Sequence, residues 1–293
     1  MIISERETSV LASSVVWLPT TIQEALAMKK ELGSKSIFVS GGTLLQIQWE
    51  NGKKVPEHFI SLENIGELKG IEMITDAKKT ELLIGALTSL STCRKHPLIM
   101  NEEIVLLSEA MTYIAAPAVR NRGTIGGNIA GRIGDIIPAL IAMNADVTVH
   151  REQSSYQQNV WDWFTTDHVE SEIIGSVHLP IQEATPYVHR FYKKVGRREA
   201  FTAAIVTVSG CMKWSESGEV YDVRIAVGGG DNVPQRLMQT ECLLSGNKLS
   251  SICWKEVYTS ILAEFVPAHD VFVSGEYRKK IAANLIVSQL QIH

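Results

Sequence analysis

Hydrophobic positions recur along the chain with two different periods, which predict a mixture of helices and strands. A helical period covers Ile22–Leu32, where Thr21 and Glu24 form a capping box at the start. Short apolar runs at Ser36–Val39 and His58–Ser61 are typical of buried strands. The first part of the chain is therefore expected to alternate short strands with helices.

The second part of the chain keeps its strand patterns apart from its helical patterns. Three strand patterns come first, at 188–195, 203–213 and 220–227, and three helical patterns follow, at 235–244, 251–265 and 276–290. Such separate blocks are typical of an α+β domain. A boundary is expected near 183–186, which divides the chain into one domain at 1–183 and another at 187–293.

Two glycine-rich segments are the strongest candidates for chemistry. Residues 40–43 (Ser-Gly-Gly-Thr) lie between a predicted strand and a helix, and residues 124–128 read Thr-Ile-Gly-Gly-Asn. Without Cβ atoms, such segments can bring several backbone N–H groups close to an anion, and a pyrophosphate is the natural one. Each alone could be an ordinary turn, but the pair favours a dinucleotide. Arg120 and Arg122 flank the second segment and are candidates for phosphate or for surface acids.

The sequence lacks the motifs of several common nucleotide-binding, hydrolase and metal sites. No GxGxxG follows a strand, and neither GxxxxGK[ST], HExxH nor GxSxG occurs. The four cysteines form no CxxC pair, so the chain is not expected to ligate an iron–sulfur cluster or any other metal.

Composition and charge limit the classes of binding partner that are expected. The 293 residues carry 28 basic and 32 acidic side chains, a net charge of −4, without long runs of one sign. Neither a nucleic acid nor a membrane surface is an expected partner. The charged N-terminal residues, the few cysteines and the lack of an apolar span predict a cytoplasmic protein.

At both glycine segments the chain resembles the FAD-binding, or medium, subunit of the molybdenum hydroxylases, which include xanthine dehydrogenase and aerobic carbon-monoxide dehydrogenase. The most specific likeness is Pro117-Ala118-Val119-Arg120-Asn121-Arg122-Gly123-Thr124-Ile125-Gly126-Gly127-Asn128, followed by Asp135-Ile136-Ile137-Pro138-Ala139-Leu140. Further likenesses are Val39-Ser40-Gly41-Gly42-Thr43-Leu44-Leu45, Ile84-Gly85-Ala86-Leu87-Thr88, Lys194-Val195-Gly196-Arg197-Arg198, Val233-Pro234-Gln235-Arg236 and Ser274-Gly275-Glu276-Tyr277-Arg278. Leu44 departs from the family, which has an Asp there, and the stretch between Asn128 and Asp135 is shorter than usual.

The resemblance implies an α+β protein. It implies a two-subdomain FAD-binding fold of the vanillyl-alcohol-oxidase (PCMH) type, with subdomains at about 1–60 and 61–183. A C-terminal α+β domain with a three-stranded antiparallel sheet and a helical bundle then follows. Asp135 is expected to bind the adenosine half of FAD and to cap the next helix. The implied FAD contacts are Val39, Ser40, Gly41, Gly42, Thr43, Leu44, Gly85, Thr124, Ile125, Gly126, Gly127, Asn128, Asp135 and Lys194.

The implied function is electron transfer in a complex. A molybdenum-cofactor subunit hydroxylates the substrate, a two-iron two-sulfur subunit passes on the electrons, and FAD delivers them to NAD⁺ or another acceptor. No catalytic residue is implied in this chain. Two alternatives stay open: a free-standing FAD-dependent oxidase or reductase of the same fold, and a non-catalytic assembly subunit whose glycine segments are empty turns.

Overall fold

The computed structural model describes residues 14–77, 79–166, 171–181, 185–198, 203–230, 232–268 and 273–291, whose strands form three sheets. In chain order, the strands are β1 Val15–Trp17, β2 Ser36–Val39, β3 His58–Ser61, β4 Ile71–Thr75, β5 Thr80–Gly85, β6 Asp146–His150, β7 Ser155–Asn159, β8 Ile173–Ile181, β9 Val188–Gly196, β10 Ala204–Trp214, β11 Val220–Gly229 and β12 Asn232–Arg236. The α-helices are α1 Ile22–Leu32, α2 Thr43–Glu50, α3 Leu90–Lys95, α4 Val105–Tyr113, α5 Pro117–Arg122, α6 Ile125–Ala130, α7 Ile137–Ala142, α8 Val160–Thr165, α9 Met238–Leu244, α10 Trp254–Glu264 and α11 Gly275–Leu290.

The first sheet is small and parallel, with strand order β1-β3-β2. Helix α1 packs on it through Ile22, Ala25 and Leu26, which share a core with Ile60 of β3. The predicted cap is present, because the Thr21 side chain accepts a hydrogen bond from the Glu24 amide at 3.1 Å. This sheet positions the first glycine segment, which joins the end of β2 to the start of α2.

The second sheet is antiparallel, with strand order β4-β5-β8-β6-β7. One large core joins its strands to helices α4, α6 and α7, for example through Leu82, Leu107 and Leu140. The second glycine segment lies against the end of β5, because the Gly126 amide donates to the Ala86 carbonyl at 2.8 Å. The first glycine segment thus follows β2 in the chain, and the second packs against the end of β5.

The third sheet is antiparallel and contains the C-terminal strands in the order β12-β11-β10-β9. Helices α10 and α11 pack against each other and against this sheet, which gives it a core of its own. On the opposite side it contacts α7, and Tyr192, Cys211 and Ala226 join the core of the second sheet. Helix α7 is therefore enclosed between two layers, and each of its residues is buried.

The α+β class is confirmed, and several local predictions need correction. The C-terminal sheet has four strands rather than three, because residues 232–236 pair with β11 and the helix expected from 235 begins at Met238. This strand contains a proline, which in a sequence usually argues against a strand, although an edge strand tolerates one. The polar stretch 155–159, which no apolar alternation marks, forms the edge strand β7.

The glycine-rich segment 115–135 holds the two short helices α5 and α6. Pro117 lies in the first turn of α5, where a proline costs no hydrogen bond. Thr124 caps α6 by accepting from the Gly127 amide at 3.0 Å. Residues 183 and 184 of the expected domain boundary at 183–186 lie outside the described residues.

Candidate cofactor-binding site

The two glycine segments, distant in sequence, are in direct contact in the structure. A Cβ on Gly41 would overlap the carbonyl oxygen of Arg122, so only glycine allows this approach. The Thr124 hydroxyl donates to the Ser40 hydroxyl at 3.2 Å. A Cβ on Gly127 would lie 2.7 Å from the Ser40 Oγ atom and 3.0 Å from the Thr124 Oγ1 atom. Gly41 and Gly127 thus allow the first segment to pack directly against the second.

The first segment ends in the uncapped start of a helix. Gly42 has φ 70°, in the left-handed region, and is the N-cap of α2, which no side chain caps. The N–H groups in the first turn of a helix have no partners within the helix. Because Thr43 and Leu44 line the adjacent cleft, the start of α2 can offer backbone donors there.

The second segment uses its backbone donors within the protein. The amides of Ile125, Gly126 and Asn128 donate to the carbonyls of Thr88, Ala86 and Thr124, and the Gly127 amide donates to the Thr124 hydroxyl. This corrects the expectation that these backbone N–H groups are free for an anion. The segment offers side chains instead. The buried Oδ1 atom of Asn128, whose side chain packs against Gly134, has no hydrogen-bond partner.

A cleft of about 790 Å³ runs along both segments, within the range of roughly 300–1,000 Å³ that is usual for ligand sites. The C-terminal part of the chain forms one of its walls. The wall residues are Arg197, Ala203, Ala204, Ile205, Gly230, Val273 and Arg278. Arg278 is buried and donates to the Ile205 carbonyl, and Gly230 lies directly against its guanidinium group.

Asp135 lines the cleft and is held by the C-terminal sheet. Its Oδ2 atom lies 2.6 Å from the Lys194 ammonium, and the Thr207 hydroxyl lies 3.5 Å from its Oδ1 atom. The Tyr192 hydroxyl donates to the Asp135 carbonyl at 3.0 Å, and burial raises the pKa of Tyr192 well above its usual value, which keeps the donor protonated. The predicted helix cap is wrong, because the N-cap of α7 is Ile136 and no side chain bonds there.

Most of the predicted site residues meet at this cleft. Those among its lining are Ser40, Gly41, Gly42, Thr43, Leu44, Thr124, Gly127, Asn128 and Asp135. Five others are not part of the lining: Val39, Gly85, Ile125, Gly126 and Lys194. Ile125 is a core residue, and Gly85 and Gly126 lie against backbone or Cβ atoms of Leu68 and Ala86.

Sequence reasoning missed the residues on the far walls of the cleft. Ile114 and Ala115 line it, and Ala115 has φ 41°, which no sequence pattern signals for an alanine. Gly230, which directly follows β11, also lines the cleft. The segment 274–278 was noticed as a motif, and the position of Arg278 gives it a place in the site.

The residues that the structure describes contain neither a metal-ligand cluster nor a helix that could cross a membrane. They contain no cluster of three or more His, Cys, Asp or Glu side chains that could hold a metal ion. Across the same residues, no helix combines the length and the hydropathy that crossing a membrane requires.

A cleft of this size, lined by two glycine segments and by hydroxyl, amide and carboxylate side chains, has room and polar groups for a ligand such as a dinucleotide. A family profile described as the FAD binding domain in molybdopterin dehydrogenase matches residues 10–182, and one described as the CO dehydrogenase flavoprotein C-terminal domain matches residues 190–291. The chain belongs to this family: it is an FAD-binding subunit of the molybdenum hydroxylases, and its cofactor is FAD.

Individual proteins show the same relationship. The carbon monoxide dehydrogenase medium chain of Hydrogenophaga pseudoflava is 28% identical over 276 residues, covering 92% of each chain. The glyceraldehyde dehydrogenase medium chain of Sulfolobus acidocaldarius is 28% identical over 236 residues, which are 77% of this chain and 79% of the relative. A solved structure of the Hydrogenophaga pseudoflava carbon monoxide dehydrogenase superposes with a TM-score of 0.85 at 26% identity, covering 94% of this chain and 96% of that one.

Proposed function

We propose that this chain is the electron-transferring flavin subunit of a xanthine-dehydrogenase-like molybdenum hydroxylase. Electrons arrive from iron–sulfur clusters of a partner subunit and leave for NAD⁺ or another acceptor. The observation that supports this most is the cleft itself, which both glycine segments and the C-terminal part border together. Bound FAD supplies the redox chemistry, because its ring can exchange a hydride or single electrons.

The residues of the cleft suit such a cofactor. We propose that the backbone donors at the start of α2, at Thr43 and Leu44, hold the pyrophosphate, since this helix end has no side-chain cap. The unpartnered Oδ1 atom of Asn128 can accept a hydrogen bond from a hydroxyl of the cofactor. Asp135 can accept another at the adenosine half, since its carboxylate is held in place by the Lys194 ammonium, 2.6 Å from Oδ2.

The partners and the domains follow the same proposal. The two relatives named above are each called the medium chain of a dehydrogenase, which supports a complex with a molybdenum subunit and a two-iron two-sulfur subunit. We propose an FAD-binding domain at 1–183, with subdomains at 1–60 and 61–183, and a C-terminal domain at 187–293. In support, the first sheet lies within 15–61, the second within 71–181 and the third within 188–236.

The first experiment tests the cofactor site. Purified protein should be yellow after desalting, and acid precipitation should release all of its flavin. Gly127→Val should lose FAD, because its Cβ would lie 2.7 Å from the Ser40 hydroxyl oxygen. Gly66→Val is the matched control, since a Cβ at Gly66 meets nothing within 4 Å. Full FAD retention by folded Gly127→Val would contradict the site, and flavin left in the pellet would indicate a covalent link.

The second experiment tests electron transfer. Excess NADH should bleach the bound flavin, or dithionite should do so if NAD⁺ is not the acceptor. The single chain should not oxidise hypoxanthine, xanthine or aldehydes until molybdenum and iron–sulfur subunits are added. Steady turnover by the chain alone would favour the free-standing oxidase. A protein that stays colourless when supplied with FAD would favour the assembly subunit.

A further inference from the structure

A short turn shapes one wall of the cleft. Residues 113–115, here named the cleft turn, begin at Tyr113, the last residue of α4. Ile114 and Ala115 of this turn line the cleft. Ala115 has φ 41°, in the left-handed region that a residue with a Cβ atom rarely adopts. Such a conformation persists only where the surroundings hold it in place.

Two buried cations hold this turn by its carbonyl groups. The Arg120 Nη1 atom donates to the Ile114 carbonyl at 2.7 Å and to the Ala115 carbonyl at 2.5 Å. The Lys194 ammonium donates to the Tyr113 carbonyl at 3.0 Å. Arg120 is only 7% exposed, and the Lys194 side chain is 6% exposed. Three successive carbonyls of the cleft turn therefore accept charge-assisted hydrogen bonds.

The two cations belong to different parts of the fold. Arg120 lies in α5, just before the second glycine segment, whereas Lys194 lies in β9 of the C-terminal sheet. Lys194 also pairs with Asp135 on the cleft wall at 2.6 Å. The cleft turn is thus fixed relative to the glycine segment on one side and to the C-terminal sheet on the other. Neither cation is among the residues that line the cleft.

We propose that Arg120 and Lys194 are positioning residues for FAD, which hold the cleft turn in its left-handed conformation without contacting the cofactor. This inference rests on the proposal that FAD occupies this cleft. When a binding site is already ordered, less conformational entropy is lost as its ligand binds, so binding is tighter. If the cleft turn loses these hydrogen bonds, only a fraction of the molecules keeps the cleft in the conformation that binds FAD. The apparent affinity for FAD then falls in proportion to that fraction.

The test compares FAD-free protein of Arg120→Met with that of Arg224→Met. Arg224 is a matched control, because it is equally buried and its Nε atom donates to the Ala142 carbonyl at 2.9 Å, away from the cleft lining. Both variants should lower the melting temperature of the FAD-free protein. Only Arg120→Met should raise the dissociation constant of FAD, by about tenfold or more, since hydrogen bonds from a charged group are lost. It should also change the visible circular dichroism of the bound flavin.

A second pair of variants covers the case in which Arg120→Met does not fold. Arg120→Lys keeps a donor but loses the geometry of the guanidinium group, so it should weaken FAD binding moderately. Adding Ala115→Gly should restore the affinity, because glycine adopts φ 41° without cost.

The proposal is overturned if folded Arg120→Met binds FAD as tightly as the wild type with the same dichroism, or if Ala115→Gly gives no rescue in Arg120→Lys. It is also overturned if Arg224→Met loses as much FAD affinity as Arg120→Met. Failure of the wild-type protein to bind FAD would instead contradict the function proposed above, so the two failures are distinguishable.

Discussion

The two glycine-rich segments look alike in sequence but differ in hydrogen bonding. The first, 40–43, ends at the uncapped start of α2, where Gly42 takes a left-handed conformation. In the second, the amides of residues 125–128 already donate within the protein. A glycine pair therefore does not by itself show that backbone donors are available to a ligand.

The difference assigns separate roles to the segments. The first can offer backbone N–H groups, which a change of side chain leaves in place. The second brings a hydroxyl group from Thr124 and an amide side chain from Asn128, and its glycines allow close packing against Ala86 and Ser40. Substitutions in the second segment, and at residues that follow it, should therefore act through side chains and packing.

The largest effect is expected from Asp135→Ala, at the residue that closes the cleft beyond the second segment. It removes the carboxylate partner of Lys194, whose side chain is 6% exposed. Breaking such a pair costs about 3–5 kcal/mol, more than the roughly 0.5–2 kcal/mol of a lost helix cap. The free energy of unfolding of FAD-free protein, from urea titration, should fall accordingly.

Glu152→Ala is the control for Asp135→Ala, because Glu152 forms an exposed pair with Lys30 and such pairs contribute about 0–1 kcal/mol. An unfolding free energy as high as that of the wild type in Asp135→Ala would show that the Lys194 pair contributes nothing to stability.

Gly41→Ala should have the next largest effect, since it tests the contact between the segments. The added Cβ would overlap the Arg122 carbonyl, and overpacking of this kind costs about 1–3 kcal/mol. Both the melting temperature and the FAD content after desalting should fall. Gly66→Ala, in open space, should change neither. Retention of full FAD by Gly41→Ala would mean that the segments need not touch.

Thr124→Val should have a smaller effect that is specific to the second segment. It removes the hydroxyl that accepts from the Gly127 amide at 3.0 Å, and a lost N-cap costs about 0.5–2 kcal/mol. Thr124→Ser keeps the hydroxyl and should behave like the wild type in thermal unfolding. Equal melting temperatures for Thr124→Val and Thr124→Ser would argue that this cap does not stabilise α6.

Leu44→Asp should have the smallest effect, because the first segment is expected to act through its backbone. The Leu44 side chain packs against Gly131, and a substitution at a half-buried position away from charge pairs typically costs only about 0.5–1 kcal/mol. The dissociation constant of FAD, measured by fluorescence quenching, should change little. Complete loss of binding would instead show that the first segment acts through the side chain of Leu44 and not only through its backbone.

The sequence predicted local features well where short-range patterns determine them. The strands Ser36–Val39 and His58–Ser61 were predicted to the residue, because each is a short apolar run. The edge strands β7 and β12 were missed, since one is polar and the other contains a proline. Edge strands need little apolar surface, so the alternation that marks central strands is absent.

The site was predictable only in its glycine segments. The contact between Gly41 and Arg122 joins parts of the chain that no local pattern relates. The cleft turn depends on a left-handed alanine and on Lys194 from the C-terminal sheet. Long-range contacts of this kind are set by tertiary packing, so periodicity and spacing cannot reveal them.

The complete burial of α7 also bears on how the chain is synthesised. All residues of this helix, Ile137–Ala142, are covered by the core of the second sheet and by strands β10 and β11. A ribosome makes those strands after the helix, so a nascent chain holds an apolar helix without its final cover until they emerge. The cleft is complete later still, because its wall includes Val273 and Arg278 as well as residues 203–205 and Gly230. Under the proposed function, a complete site for FAD therefore requires that the chain has been made through residue 278.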